Sequence, residues 1–230
     1  MARVLAIDIG TSSIRAGVHG AGLQRVHPVA QIRYRWRIGS DGSVETPAAT
    51  LERAVAQAID GALAGVRAHV DAVAIAAFWH SLVGLDGSGR AVTGVIPWTD
   101  TRSGAEAIAL RGRLDERAIH ARTGCRIHPT YWPPRLRWFA EREPKTFRRV
   151  RRWTTFPAYL ESRWLGRSAE SRSQASATGL FLHELDHPNF ASPQERDSAP
   201  ARGERASSHP IRLTPVASAA DVGASLQVNF

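Results

Sequence analysis

The first turn of the chain constrains its fold most. Leu5-Ala6-Ile7-Asp8-Ile9-Gly10-Thr11-Ser12-Ser13-Ile14-Arg15 reads as a short buried strand, Val4 to Ile9, that runs past a carboxylate into a glycine and three hydroxyls. A second apolar strand resumes at Ile14. Glycine lets a backbone approach an anion with no Cβ in the way, and the N–H groups and hydroxyls of such a turn can line a phosphate. The Asp8 carboxylate would repel phosphate directly. It is suited instead to a Mg²⁺ ion that bridges phosphate oxygens. Arg15 adds a fork of donors that matches phosphate geometry. The same residues also fit a plain β-hairpin with an Asp-x-Gly-Thr tip, and the tripeptide alone would favour that. The longer pattern of strand, Asp-x-Gly-Thr-Ser-Ser and spaced basic residue favours phosphate.

At 230 residues and 43% hydrophobic content, the chain can build one large domain or two small ones. No apolar run has the length of a membrane helix. The N-terminus starts directly on strand residues, with no charged-then-apolar leader pattern, and the single cysteine, Cys125, has no internal disulfide partner. Both features lead to the expectation of a reducing, cytoplasmic setting. The net charge of +9 raises nucleic-acid binding, and Arg148, Arg149, Arg151 and Arg152 form the densest basic cluster. No recognisable nucleic-acid motif surrounds these arginines, so a solvated basic surface is the better account and nucleic acid is not expected as a partner.

Along the chain, Val4–Ile9, Ile14–His19 and a stretch within 24–38 read as consecutive strands, with Gly10, Gly20 and Gly22 at or beside the turns. Leu51, Val55, Ile59, Leu63 and Val66 recur at three- and four-residue spacing, which predicts an amphipathic helix from Thr50 to Val66 behind a start signal at Pro47. Val73–Ala77 is almost wholly apolar, as in the centre of a covered sheet. Leu82–Leu85 and Val92–Trp98 read as strands around a turn at Asp86-Gly87-Ser88-Gly89. From Ser103 to Leu165 the pattern is helical, with breaks at Gly124 to Pro134 and at Pro144, and Phe156–Leu165 forms a last helix closed by Gly166. Beyond about Phe190 the chain turns to Pro, Ser, Ala and charge with little to bury, and is expected to be disordered. No internal repeat is visible.

Two further constellations sit after apolar strands, where open α/β sheets hold their ligands. Phe78-Trp79-His80-Ser81 offers an aromatic face and an imidazole to a polyol. A core tryptophan beside a satisfied loop histidine is the alternative. Trp98-Thr99-Asp100-Thr101-Arg102 offers a flat ring, a carboxylate and a guanidinium within five residues. Asp100 and Arg102 are equally suited to pairing with each other as a structural clamp.

Taken together, the motifs resemble the N-terminal half of the FGGY carbohydrate kinases. The likeness lies in Ile7-Asp8-Ile9-Gly10-Thr11-Ser12-Ser13, Trp79-His80, Leu85-Asp86-x-x-Gly89-Arg90, Ile96-x-Trp98-x-Asp100-x-Arg102-Ser103 and Arg122-Thr123-Gly124-Cys125-Arg126-Ile127-His128-Pro129, with Tyr131 and Trp138 beyond. It runs from about Arg3 to about Leu182 and looks most like the gluconate-kinase branch, with the xylulose kinases next. The resemblance implies an α/β, actin-like ATPase (ribonuclease H-like) domain with a mixed sheet and flanking helices. It implies ATP with Mg²⁺ as cofactors and a small-molecule sugar or sugar acid as acceptor, with no membrane partner. Asp8 would lie near the metal, Gly10, Thr11, Ser12 and Ser13 near the terminal phosphates, and Arg15 would steady the loop. Trp79, His80, Trp98, Asp100 and Arg102 would surround the sugar, and Tyr131 would close the pocket edge.

Members of that family are about twice this length, and a Gly-Asp dipeptide later in the first domain supplies their general base. After Leu182 the chain offers Asp186, Asp197 and Asp221, none preceded by glycine. Residues 1–188 are therefore expected to form an incomplete first kinase domain and 189–230 a divergent tail. The chain alone is expected to lack turnover, as the front of a misread or shortened kinase. The alternatives are a non-catalytic sugar- or nucleotide-binding module, or one half of a split kinase whose C-terminal half is encoded separately.

Overall fold

The computed structural model describes residues 2–180 apart from 21, 23, 27, 68 and 167–169, and of residue 172 the backbone only. The expected tail at 189–230 and the late aspartates lie outside the described residues.

The chain opens with strands β1 (Arg3–Ile9), β2 (Ser13–Gly20), β3 (Ala30–Arg33), β4 (Arg37–Ile38) and β5 (Val44–Pro47), then helix α1 (Ala48–Leu63). Strands β6 (Ala72–Ala77), β7 (Val83–Leu85) and β8 (Gly94–Val95) follow, then helices α2 (Gly104–Arg111), α3 (Glu116–Thr123), α4 (Trp132–Arg142) and α5 (Pro144–Arg149). Strand β9 (Arg152–Thr154) and helices α6 (Phe156–Leu165) and α7 (Arg172–Ser176) complete the described elements. The main sheet has the order β3-β2-β1-β6, with β1 antiparallel to β2 and parallel to β6. Two small sheets, β4-β5-β8 and β7-β9, flank it.

Alternation decides which face of this mixed sheet is covered. Leu5, Ile7 and Ile9 of β1 pair with Val18, Ala16 and Ile14 of β2, so all six share one face, and all six are buried. Against them lie Leu51, Val55, Ala58, Ile59 and Ala62, one stripe of α1, together with Phe156 and Leu160 of α6. Each of the Leu, Ile, Val and Phe side chains among them contributes about 1.5–3 kcal/mol on burial. On the opposite face Asp8 of β1 lies across from Arg15 of β2.

The structure departs from the sequence pattern at four places. Among the described residues strand β6 is paired on one side only, to β1, and Ile75 is 42% exposed, where the sequence pattern predicts a covered strand. Helix α1 stops three residues early, at Leu63, because Gly65 adopts φ +83°. The expected strand 92–98 shrinks to Gly94–Val95, flanked by the single bridges Leu85↔Ala91 and Leu82↔Ile96. Finally, the helical region contains β9, whose Arg152-Trp153-Thr154 pairs with β7. By contrast, α6 spans Phe156–Leu165 as its pattern predicts, N-capped by the Thr155 side chain and ended by Gly166 at φ +66°.

Candidate functional site

Strands β1 and β6 run parallel in register, Ile9 beside Ala77, so the loops that leave them emerge at the same end of the sheet. Phe78 N donates to the carbonyl of Ile9 at 3.0 Å and holds the two exits together. This is the carboxyl end of two adjacent parallel strands, the usual ligand position in sheets of this kind.

The β1–β2 turn is closed by a bond from Gly10 N to the carbonyl of Ser13 at 3.0 Å. A Cβ at residue 10 would sit 3.2 Å from that same oxygen, so any larger residue would push the turn open. Two ring donors hold the turn from the β3–β4 connection. Tyr34 Oη donates to the Gly10 carbonyl at 2.5 Å, and Trp36 Nε1 to the Thr11 carbonyl at 2.6 Å. Carbonyl oxygens repel phosphate, and these bonds engage both of them elsewhere. Burial pushes the Tyr34 phenol well above its ordinary pKa, so it stays a donor. Ser12 is exposed and Thr11 half-buried. Ser13, expected beside phosphate, instead turns inward and accepts from Gln31 Nε2 at 3.0 Å. Asp8 accepts from Arg15 Nη1 at 3.2 Å across the β1–β2 ladder, with about half of each side chain open to solvent.

Beyond β6, Trp79 is 52% exposed and His80 takes the left-handed conformation at φ 61°. That region is uncommon for residues other than glycine, and two contacts hold His80 there. Arg135 Nη1 donates to its carbonyl at 2.6 Å, and its Nδ1 lies 2.6 Å from the carbonyl of Ala177. A carbonyl only accepts, so Nδ1 carries the proton and Nε2 presents a lone pair. Burial pulls the His80 pKa below its usual 6.5, which keeps that lone pair available at neutral pH. Edge-to-face contacts link the His80 ring to Trp79 at 6.1 Å and to Tyr131 at 5.1 Å.

The third constellation divides. Trp98 is 48% exposed and its carbonyl accepts from Thr130 Oγ1 at 3.1 Å, beside Tyr131. Asp100 is fully enclosed. Its Oδ2 accepts from Val44 N at 2.7 Å and from Arg102 Nε at 2.8 Å. Arg102 also donates to Glu45 Oε2 at 2.9 Å and lies over the Trp138 ring at 5.1 Å. Burial pulls the Arg102 guanidinium down, and the Asp100 and Glu45 carboxylates more than reverse this. Of the two readings of this pair, the geometry is that of the clamp. It anchors the loop that carries Trp98 and leaves neither charge open to a ligand.

Sequence reasoning overlooked Arg135. It is 1% exposed and donates to the carbonyls of Pro129 (Nε, 3.0 Å), His80 (Nη1, 2.6 Å) and Pro97 (Nη2, 2.6 Å). One guanidinium thus ties together the three loops that carry His80, Trp98 and Tyr131. Burial lowers its pKa to about 10. Tyr34 and Trp36 were overlooked as well. The only sequence signal for them is an alternating Tyr-x-Trp within the stretch 24–38, and for Arg135 one of three arginines in α4 set between Pro134 and Leu136.

Four observations relate this arrangement to known proteins. The model of the FGGY family of carbohydrate kinases, N-terminal domain, matches residues 3–189. A xylulose kinase of Streptomyces rubiginosus is 33% identical over 111 residues, 48% of this chain and 23% of that protein. A gluconokinase of Bacillus subtilis is 26% identical over 108 residues, 46% of this chain and 21% of that one. Among solved structures, a ligand-bound xylulose kinase from Lactobacillus acidophilus superposes with TM-score 0.80 at 18% identity, covering 94% of this chain and 42% of that one. The chain therefore spans less than half the length of these relatives, and shares the fold of their first domain, an actin-like ATPase domain with a mixed sheet. A glycine turn after β1, a Trp-His pair after β6 and a family match over most of the described residues converge on one conclusion: the chain belongs to the FGGY family of carbohydrate kinases.

Proposed function

We propose that this chain provides the phosphate loop and the sugar-facing wall of a kinase that transfers the γ-phosphoryl group of ATP to a hydroxyl of a sugar or sugar acid, as in gluconate or xylulose phosphorylation. The observation that carries this reading is the common exit of β1 and β6, which places the Asp8–Ser12 turn and the Trp79-His80 pair at one end of the sheet.

Each residue has a role that its surroundings permit. Gly10, Thr11 and Ser12 receive the terminal phosphates, with the Gly10 and Thr11 carbonyls held away by Tyr34 and Trp36. Asp8 is an exposed hard oxygen ligand of the kind Mg²⁺ prefers, and one carboxylate suffices for an ion whose other ligands are phosphate oxygens and water. Bound there, Mg²⁺ would neutralise charge on the phosphate oxygens. Arg15 orients Asp8 across the hairpin. Trp79, Trp98 and Tyr131 supply flat faces for a carbohydrate chain, and His80 Nε2 accepts a hydrogen bond from one of its hydroxyls. Arg135 and the Asp100–Arg102 pair are positioning residues. An enclosed, ion-paired Asp100 has no path to a substrate proton and is not the base that deprotonates the acceptor. By the family resemblance that role falls to a carboxylate in a Gly-Asp turn, a dipeptide this chain does not contain, and the chain by itself is a binding unit with little or no turnover.

The test is phosphoryl transfer followed by phosphorus NMR, with ATP, Mg²⁺ and a panel of sugars and sugar acids. The purified chain should bind acceptor and nucleotide yet form almost no sugar phosphate, and addition of a kinase fragment that carries the Gly-Asp segment together with the second domain should restore product. Rapid sugar-dependent ADP formation by the chain alone would contradict the assignment of the base. Absence of both acceptor and nucleotide binding would contradict the assignment of the site.

A further inference from the structure

A cavity of about 440 Å³ opens beside Tyr131, lined by His120, Gly124, Arg126, His128, Thr130 and Tyr131. Its lining contains a guanidinium and two imidazoles and no carboxylate. Arg126 is exposed and has no hydrogen bond or ion pair among the described residues, unlike Arg102 and Arg135, which are enclosed and fully engaged. His128 Nδ1 accepts from Thr130 N at 3.2 Å. Its ring proton therefore resides on Nε2 and remains available to an acceptor. The end of α3 borders the cavity, where a helix presents partial negative charge. That charge is already answered: Thr123 Oγ1 donates to the Ile119 carbonyl at 2.9 Å and Gly124 N to the His120 carbonyl at 2.8 Å. The nearby carboxylate of Glu116 accepts from Ile127 N at 3.0 Å through Oε1 and does not line the cavity.

Tyr131 joins this cavity to the sugar-facing wall. Its ring packs edge-on against His80 at 5.1 Å and against His128 at 6.5 Å. A ligand that hydrogen-bonds His80 therefore has a cationic, acid-free cavity on the far side of one aromatic ring. We infer that the Arg126–His128 cavity is a carboxylate subsite, and that the acceptor is a polyhydroxy acid rather than a neutral ketose. This inference rests on the sugar-kinase reading of the same wall. The anionic end of the substrate pairs with Arg126, whose planar fork suits a carboxylate. The hydroxylated chain runs past Tyr131 toward His80. The volume is ample for a six-carbon acid.

The experiment compares two probes that differ at one carbon, D-gluconate and its neutral counterpart D-glucitol, by calorimetric titration into the full chain. The wild type should bind gluconate about tenfold more tightly than glucitol, the scale of one partly exposed Arg–carboxylate pair. Added salt should narrow that gap. In Arg126→Met the preference should fall to within about twofold with glucitol affinity unchanged, and Arg126→Lys should restore part of it. An exposed, unpartnered side chain can be replaced without unfolding, and an unchanged thermal melt confirms this. Equal binding of the two probes by the wild type, or a preference that survives Arg126→Met, overturns the subsite while leaving the sugar-binding wall standing. Binding of neither probe overturns both.

Discussion

The phenol of Tyr34 donates to the carbonyl oxygen of Gly10 at 2.5 Å, and through that bond a residue 24 positions away sets the shape of the turn between β1 and β2. Trp36 does the same for Thr11 at 2.6 Å, and its ring meets Tyr34 and Phe78 edge-on at 5.4 and 5.8 Å. The β1–β2 turn and the exit of β6 thus share one aromatic support.

Removing the Tyr34 hydroxyl should test that support. Tyr34→Phe keeps the ring packing and leaves the Gly10 carbonyl short of a donor, at a cost of about 1–2 kcal/mol of stability. Nucleotide affinity should fall severalfold more than acceptor affinity, because only the turn is loosened. Calorimetry with ATP and with D-gluconate separates the two, and an equal loss of both would count against the assignment.

The Asp100–Arg102 pair gives the opposite signature. In Asp100→Asn a carboxamide oxygen in the place of Oδ2 can keep the bonds from Val44 N and Arg102 Nε, but its NH₂ then faces Arg102 N, which donates to Oδ1 at 3.3 Å. Removing one of the two carboxylates that face the buried Arg102 guanidinium should cost up to about 3–5 kcal/mol, the Glu45 pair being retained, read by urea unfolding. Acceptor affinity of the folded fraction should change little. Unchanged stability with lost sugar binding would show instead that Asp100 faces the ligand.

Most of the architecture was legible because its determinants are local. Strands β1 and β2 are marked by apolar residues around Gly10, and α6 by its pattern and Gly166. What escaped is non-local. The edge position of β6 among the described strands depends on which strands flank it, and its own residues say nothing about that. Ser13 matched the motif but turned toward Gln31, eighteen residues away. Asp100 matched the motif too, and its burial depends on Val44, 56 residues earlier. Arg135 carries no motif. Its importance comes from three loop carbonyls that only the folded chain assembles.

Arg135 should therefore behave as a keystone of the sugar wall. Arg135→Met leaves the carbonyls of His80, Pro97 and Pro129 without their donor, and each unmet buried carbonyl costs about 1–3 kcal/mol. Arg135→Lys should recover only part of the loss, because an ammonium lacks the planar fork that reaches three directions. Thermal melts of the two variants check this, and full recovery by lysine would contradict the geometry.

Glu170 makes stability depend on pH in a defined direction. It is 3% exposed, with Oε1 accepting from Thr154 Oγ1 at 3.2 Å and Thr155 N at 2.8 Å, and Oε2 from Thr155 Oγ1 at 2.6 Å. Burial drives its pKa from 4.5 up to about 7, although the Thr155 and Thr154 bonds pull the other way. The native state therefore holds this proton to a higher pH than the unfolded chain does. Its contribution is full below the unfolded pKa, declines as pH rises to about 7 and then levels, a change on the order of 3 kcal/mol. Glu170→Gln should flatten that decline between about pH 5 and about pH 8 in urea unfolding. Parallel slopes in the two proteins would contradict the role of Glu170.

The central claim is that the turn after β1 holds a nucleotide's phosphates through a metal at Asp8. Calorimetric titration of ATP into the full chain, with and without Mg²⁺, tests it most directly when repeated on Asp8→Asn. The account predicts binding that requires Mg²⁺ in the wild type and is lost in Asp8→Asn, with the thermal melt unchanged because Asp8 and Arg15 form a solvent-exposed pair of small worth to stability. Equal, metal-independent binding by both proteins, or binding by neither, would contradict it.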